Sequence, residues 1–280
     1  MSNKKDSLGD RMKENYENRS KTYLVRRMPV IIRLDGRAFH TFTKGFKRPY
    51  DEVFHNAMND TVKYLCENIQ GCKIGYTQSD EITLLLTDYE NLDTAAWFDY
   101  AVEKMCSISA SMATMTFNKF FAKNVKEYDM EWKCGLTPQS VEIQKAHYDY
   151  MEILNKAVEK GAMFDARVFN IPKEEVTNAF IWRQQDATRN AIQMLGQTYF
   201  SHKELDKKTC NMIQDMLMTQ KGINFNDMPI EFKRGICCIK ESYIDATPES
   251  TDSKNVRTKW VIDKEIPIFT QDREYIERYV

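Results

Sequence analysis

Two short stretches hold residues that could do chemistry together. One is Asp35-Gly-Arg-Ala-Phe-His40; the other is Gln78-Ser79-Asp80-Glu81, set in the apolar run of residues 75–86. Residues 29–35 are short, rich in β-branched side chains and followed by Gly36, which predicts a buried strand. Strands at about 72–78 and 82–87 flank the second stretch and place its acids at a hairpin tip. Between these strands, Val53, Ala57, Met58, Thr61, Val62, Leu65 and Ile69 recur at helical spacing, with Asp51 placed to cap the helix. In a β-α-β-β unit the first strand can lie beside the hairpin, so Asp35 and Asp80 can meet at one end of the sheet. Carboxylates paired in this way suit Mg²⁺, which takes oxygen ligands and usually binds one or two carboxylates plus substrate phosphates. Two such ions can activate an attacking oxygen and steady a leaving one. Glycine after Asp35 lets its own carbonyl approach a metal closely. The plain alternative is a pair of solvated acids at strand ends. Successive strand residues face opposite ways, so Asp80 is the expected ligand, and Glu81 is a ligand, a supporting group or neither. A turn over Arg37, Ala38, Phe39 and His40 would expose successive backbone N–H groups, a geometry that holds phosphates.

The elements that must position these residues continue past the hairpin. A long helix is expected from about 93 to 121, its Met, Ala and Phe residues serving as core. Residues 122–163 read as an insertion with one helix over 138–160, and residues 164–170 as another strand. The order β-α-β-β-α-(insertion)-β is the ferredoxin-like arrangement, an α+β fold with an antiparallel sheet and helices on one face. Additional helical elements are expected near 173–199 and 203–218, and strands near 235–239 and 258–262. A helix is also expected over 8–23; its cations, with Arg26 and Arg27 beyond it, read as a solvated face.

Composition narrows the function classes. Net charge is −1, so any polyanion site must come from local basic clusters or from assembly of subunits. The 7 cysteines are odd in number and form no C-x-x-C pair, which favours free thiols in a reducing cytoplasm over a disulfide framework or a zinc site. The polar N-terminus reads as neither a signal peptide nor a membrane anchor, and no apolar run reaches the length of a membrane span.

The stretches IIRLDGRAFHTFTKGFKRPYDEVF, GYTQSDEITLLL and WRQQDATRN together resemble the tRNA-His guanylyltransferase family, enzymes that extend RNA in the 3′-to-5′ direction. The resemblance covers about residues 8–240. It implies a polymerase-type catalytic palm over residues 1–240, with the 122–163 helical insertion, and leaves 241–280 as a C-terminal extension packed on the core. It implies two Mg²⁺ ions on Asp35, the Gly36 carbonyl and Asp80, with Glu81 as a catalytic neighbour. It places Arg37, Ala38, Phe39, His40, Arg48, Asp51, Ser79, Lys104, Asn190 and Lys221 around ATP, GTP or another nucleoside triphosphate, and it implies a homotetramer acting on tRNA.

The chain has Thr188-Arg189-Asn190 where eukaryotic members carry His-Ile-Asn, and it lacks an arginine common near Ala101. In these respects it resembles the Thg1-like branch. The activity implied is templated repair of truncated tRNA 5′ ends through an adenylylated intermediate, with G addition to tRNA-His as the alternative. A nucleotide cyclase, a tRNA-binding module with a decayed site and a structural Ca²⁺ or Mg²⁺ site are the rival readings. The intact acids at 35, 80 and 81 argue against decay.

Overall fold

A computed structural model of the chain describes residues 7–135, 140–244 and 256–280. It begins with α1 (Ser7–Asn15) and a separate 3-10 turn, Glu17–Ser20, rather than one helix over 8–23. The reason is that α1 buries no side chain, and a short helix without tertiary packing is marginal. Next come β1 (Val30–Gly36), α2 (Phe39–Phe42), α3 (Glu52–Asn68), β2 (Cys72–Gln78) and β3 (Glu81–Leu86). α4 (Val102–Cys134), α5 (Val141–Lys160) and β4 (Phe164–Asn170) follow. The remainder is α6 (Lys173–Tyr199), α7 (His202–Leu205), α8 (Cys210–Lys221), α9 (Ile230–Arg234), β5 (Ile236–Ile244), β6 (Val256–Asp263) and α10 (Glu274–Glu277).

Several boundaries move from those expected. Before α4, Phe98, Asp99 and Tyr100 all take positive φ (51°, 52° and 58°), which no right-handed helix can include, so α4 starts at 102 and not near 93. α5 opens on Ser140, whose hydroxyl accepts from the Ile143 N–H; Pro138, the expected start, lies outside the described residues. The helix expected over 203–218 is broken into α7 and α8, where Lys207 has φ 57° and Thr209 caps α8 through the Met212 N–H.

Among the described residues the sheet has six strands in the order β4-β1-β3-β2-β5-β6, and all neighbours run antiparallel. Helices α3 and α4 connect β1 to β2 and β3 to β4, so the first four strands follow the expected β-α-β-β-α-β order. The β5–β6 hairpin widens this sheet, and the expected boundary after residue 240 falls inside β5.

Both faces of the sheet are covered, not one. Val30, Ile32, Leu34, Ile82, Leu84 and Leu86 pack on α3 and α4 through Val62, Leu65, Met105, Phe117 and Phe121. The opposite face, with Ile31, Tyr76, Leu85 and Cys237, packs on Val176 and Phe180 of α6 and on Phe269, Tyr275 and Ile276 of the C-terminal segment. Burial on both sides explains why β1 and β3 read as continuous apolar runs without alternation. All seven cysteines are free thiols, and among the described residues no helix is long and apolar enough to cross a membrane.

Phe117 is fully buried and meets Phe39, Phe42, Phe54, Phe121 and Phe164. Phe117→Ala should lower stability by about 3–5 kcal/mol in denaturant unfolding. A loss under about 1 kcal/mol would mean that this aromatic cluster does not hold α4 to the sheet.

Candidate active site

The two acid stretches meet at the end of the sheet where β1 stops and the β2–β3 hairpin turns. In the β1–β3 register Asp35 lies opposite Glu81, and in the β1–β4 register it lies opposite Asp165. The Gly36 N–H donates to the Asp80 carbonyl at 3.1 Å, which ties the hairpin tip to the end of β1. Ser79 turns the tip in the left-handed region (φ 53°), and its hydroxyl donates to Asp80 Oδ1 at 3.1 Å.

Only glycine fits at position 36. An added Cβ would lie 2.3 Å from the ring of Phe39, which folds back beneath the loop. Phe39 in turn packs among Phe42, Phe54, Phe117 and Phe164, with ring centroids 5.1–6.0 Å apart. The loop is therefore anchored in the main core. Of its backbone donors, the Arg37 N–H is taken by the Met163 carbonyl at 2.8 Å. The N–H groups of Ala38, Phe39 and His40 have no acceptor among the described residues, so the donors left for an anion start one residue later than the sequence suggests.

Electrostatics separates the adjacent acids. Burial pushes the Asp80 carboxyl above the usual range, and the nearby charge of Asp35 adds to the rise; its own N–H and the Ser79 hydroxyl offset part of it. Among the described residues Asp80 forms no ion pair. Glu81 is also pushed up by burial, but the charges of Arg183 and Arg33 oppose the shift. Glu81 Oε1 lies 2.6 Å from Arg183 Nε and 3.6 Å from Arg33 Nε. Trp182 carries both guanidinium groups on its ring, at 4.3 Å for Arg183 and 5.5 Å for Arg33. Sequence reasoning did not single out either arginine. Arg183 stands in the WRQQ stretch, but nothing in a sequence shows that α6 folds back to reach β3.

A cavity of about 430 Å³ opens beside the tip. Gly36, Ala38, Phe39, His40, Arg48, Asp51, Ser79 and Asp80 line it, together with Lys47, His55 and Met194, which were not foreseen. Lys47 has a cue in the sequence, since it adjoins Arg48. Its Nζ sits 4.6 Å and 4.8 Å from the ring centroids of Tyr128 and Tyr150. His55 stacks on Tyr50 at 3.9 Å, and burial drives its pKa down to about 3, so it is a neutral wall of the cavity.

Asp51 is only 4% exposed, and its carboxylate accepts from the Lys47 and Phe54 N–H groups and from the Tyr150 hydroxyl. It caps α3 as the spacing indicates and braces the cavity floor. With these donors in place its carboxylate has a structural role at the cavity wall. Four expected residues stand apart from the cavity: Arg37 lies in the loop but not among the lining residues, and three others lie elsewhere. Lys104 lines a separate hollow with Lys21, Tyr23 and Phe98; Asn190 is exposed on α6; Lys221 ends α8 above the Phe200 ring at 5.3 Å.

The residues at the tip fit a divalent cation. Asp35 and Asp80 are close enough that one charge disfavours the other, and Asp80 has no protein cation to neutralise it. A hard cation would relieve both strains.

Two outcomes follow from these placements. Because the folded-state pKa of Asp80 is raised, the folded protein binds more protons than the unfolded chain between the ordinary carboxylate pKa and the raised value. Stability from this group therefore falls as pH rises through that window, and an ionised Asp80 is a cost at neutral pH. Asp80→Asn should raise the Tm of the metal-free protein at neutral pH, and the gain should shrink in mild acid; a lower Tm at neutral pH would contradict this. Asp51→Ala should cost about 2 kcal/mol or more, from a lost cap and an unpaired buried Tyr150 hydroxyl. An unchanged unfolding midpoint would remove Asp51 from its structural role.

The family profile of tRNAHis guanylyltransferase (Thg1) matches residues 9–172, which include β1, the hairpin and the cavity loop. A solved bacterial tRNA(His) guanylyltransferase (Thg1)-like protein in complex with ATP is 42% identical, with a TM-score of 0.76 over 98% of this chain and 99% of that one. A structure of a bacterial Thg1-like protein in complex with GTP is 40% identical, with a TM-score of 0.71 and the same coverage. Protein R259 of Acanthamoeba polyphaga mimivirus, itself uncharacterised, is 28% identical over 250 residues, 84% of this chain and 78% of its own length. The profile spans more than half of the chain, and with it come the paired acids, the glycine and the phosphate-competent loop: the chain belongs to the tRNAHis guanylyltransferase (Thg1) family and is a nucleotidyltransferase.

Proposed function

We propose that the chain is a template-dependent 3′-5′ nucleotidyltransferase that rebuilds truncated 5′ ends of tRNA. The observation that carries this is Asp80, a half-buried carboxylate without a cation among the described residues, tied by its carbonyl to the end of β1 next to Asp35. It opens onto a cavity whose loop offers unpaired backbone donors. The similarity to bacterial Thg1-like proteins bound to ATP and to GTP supports nucleoside triphosphates as the substrates. The strand order β4-β1-β3-β2 with α3 and α4 on one face supports a ferredoxin-like polymerase palm within residues 1–240, and the packing of Ile262, Ile266, Phe269 and Ile276 on that core supports a C-terminal extension covering it.

The reaction has two displacements. A 5′-monophosphate RNA end attacks the α-phosphate of ATP; the new P–O bond gives an adenylylated end, and pyrophosphate leaves. The 3′-hydroxyl of the incoming nucleotide then attacks the activated 5′ phosphate, and AMP leaves. Asp35, the Gly36 carbonyl and Asp80 would hold two Mg²⁺ ions, which when bound lower the pKa of the attacking hydroxyl and offset phosphate charge. The N–H groups of Ala38, Phe39 and His40 receive phosphate oxygens, and Arg48 supplies a positive charge at the cavity wall. Ser79 orients Asp80 through its hydroxyl. Arg183 and Arg33 hold Glu81 toward α6, so Glu81 fixes the hairpin rather than competing with Asp80. Arg37, Lys104, Asn190 and Lys221 lie outside the cavity and are assigned to RNA or to a nucleotide held by a neighbouring copy in a cytoplasmic homotetramer.

Repair is favoured over G addition by the state of Thr188 and Arg189. The Thr188 hydroxyl donates to the Gln184 carbonyl within α6, and Arg189 is paired with Asp186. Thr188 therefore presents no imidazole where the eukaryotic members carry the histidine of His-Ile-Asn.

The test uses 5′-labelled tRNA lacking its first acceptor nucleotide, beside full-length tRNA-His, with Mg²⁺, ATP and each nucleotide singly. The expected result is addition only of the nucleotide complementary to the opposite strand. Asp35→Asn and Asp80→Asn should each cut this by about 10²–10³-fold or more while circular dichroism stays unchanged. Addition of G to tRNA-His alone would overturn the repair reading, and full activity in a folded Asp80→Asn variant would overturn the site.

A further inference from the structure

Three of the seven cysteines meet on the α3 face of the sheet, at the end of α3 away from the cavity. Cys66 stands in the last turn of α3, Cys72 opens β2, and Cys238 lies in β5. Two local features bring them together. The first is a bulge in β2: Cys72 pairs with Leu86, yet Ile74 pairs with Leu85. In a regular strand both side chains would face one way; here Ile74 packs on the α6 face and Cys72 turns to the α3 face. The second is Gly75, where an added Cβ would lie 2.6 Å from the Cys66 sulfur. The missing side chain leaves the hollow in which that sulfur sits. Cys238 is opposite Gly75 in the β2–β5 register. Cys66 therefore lies between Cys72 along the strand and Cys238 across it, within hydrogen-bonding reach of both sulfurs.

The three thiols differ in access. Cys66 is 2% exposed and Cys238 is fully buried, whereas Cys72 is partly exposed. Burial pushes the Cys66 thiol up, and its contacts with Cys238 and Cys72 add to the rise, so Cys66 stays protonated and sheltered. Cys72 is the point of entry. Lys73, next in the chain, feels the charge of a thiolate at Cys72, and Lys240 lies near enough to add its own positive charge. Lys73 also pairs with Glu90. A partly exposed thiol beside cations is the kind that reacts, while a buried one without them is inert. Among the described residues the three thiols do not form a group that could hold a metal ion, so their chemistry is with one another.

We propose that Cys72 and Cys66 are a redox modification site, a thiol pair that hydrogen peroxide closes to a disulfide. The Cys72 sulfur attacks a peroxide oxygen. An S–O bond forms, the O–O bond breaks, and hydroxide leaves and takes the thiol's proton as water. The Cys66 sulfur then attacks the sulfur of the Cys72 sulfenic acid. The S–S bond forms, the S–O bond breaks, and hydroxide leaves with the Cys66 proton as a second water. Two thiols and one hydrogen peroxide thus give one disulfide and two waters. A small dithiol reverses the step by exchange. The new bond spans residues 67–71 and ties the last turn of α3 to the start of β2. It fixes the far end of the helix whose first turn Asp51 caps beside the cavity. None of this depends on the nucleotidyl-transfer reading.

The experiment treats the reduced, folded full chain with hydrogen peroxide, denatures it, blocks the remaining thiols with iodoacetamide and weighs the tryptic peptides. Residues 64–73 leave trypsin as one peptide that holds both Cys66 and Cys72, and residues 235–240 as another that holds Cys237 and Cys238. The expected product is the 64–73 peptide, unblocked at both cysteines, lighter than its reduced form by two hydrogens and restored by dithiothreitol. Circular dichroism should be unchanged by the treatment. Cys72→Ser, at the partly exposed position, should slow loss of the Cys66 thiol about tenfold or more. Cys66→Ala should stop Cys72 at the sulfenic acid, which dimedone traps; if that variant does not fold, wild type and Cys72→Ser decide the matter. A cross-link between peptides 64–73 and 235–240 would overturn the pairing. So would Cys72 carried to the sulfinic acid with Cys66 still open to iodoacetamide, or both thiols intact once the exposed Cys134 has been oxidised. Equally fast loss of the Cys66 thiol in folded Cys72→Ser would remove Cys72 as the point of entry and overturn the proposal.

Discussion

The hydrogen bond from the Gly36 N–H to the Asp80 carbonyl sets what the rest of the structure must supply. It draws a hairpin tip against a strand end and so brings the half-buried Asp80 carboxylate under the charge of Asp35. That placement is costly for Asp80 alone, because desolvation and like charge both disfavour its ionisation. The sheet must hold it in place. Six residue pairs in the β1–β3 register and fully buried side chains on both faces do so. The loop after Gly36 is held by a separate means, the burial of Phe39 in the aromatic cluster.

The same end of the sheet shows how adjacent residues are given different work. Asp80 and Glu81 are neighbours, yet one faces a cavity and the other meets two arginines stacked on Trp182. The guanidinium groups make Glu81 a mechanical tie between β3 and α6. Asp80 keeps an unneutralised charge, which is the property a cation site requires. Helix α6 therefore takes part in two regions: Arg183 steadies the acid cluster, and Gln184, one residue on, clamps the C-terminal segment.

Local signals in the sequence carried the catalytic core of the structure. The apolar runs of β1 and β3, the period of α3, the Asp51 cap and the pairing of Asp35 with the hairpin were all legible, because each depends on nearest neighbours or on one strand register. What was hidden depends on contacts between distant segments. The coverage of the second sheet face by α6 and residues 266–276 could not be read from either segment alone. The Arg183–Glu81 pair is a contact of the same kind. The late start of α4 rests on three consecutive left-handed residues of ordinary type, Phe98, Asp99 and Tyr100, where composition gives no cue such as glycine. Asp51 was placed correctly on its helix, but its full set of donors, including Tyr150 from α5, appears only in three dimensions.

The most direct measurement is the anomalous diffraction of crystals grown with Mn²⁺ and a non-hydrolysable triphosphate. The account predicts metal density bounded by the Asp35 carboxylate, the Gly36 carbonyl and the Asp80 carboxylate, with the triphosphate over Ala38, Phe39 and His40 and Glu81 still on Arg183. Metal density ligated by Glu81, or none within reach of Asp35 and Asp80 with nucleotide bound, would contradict it.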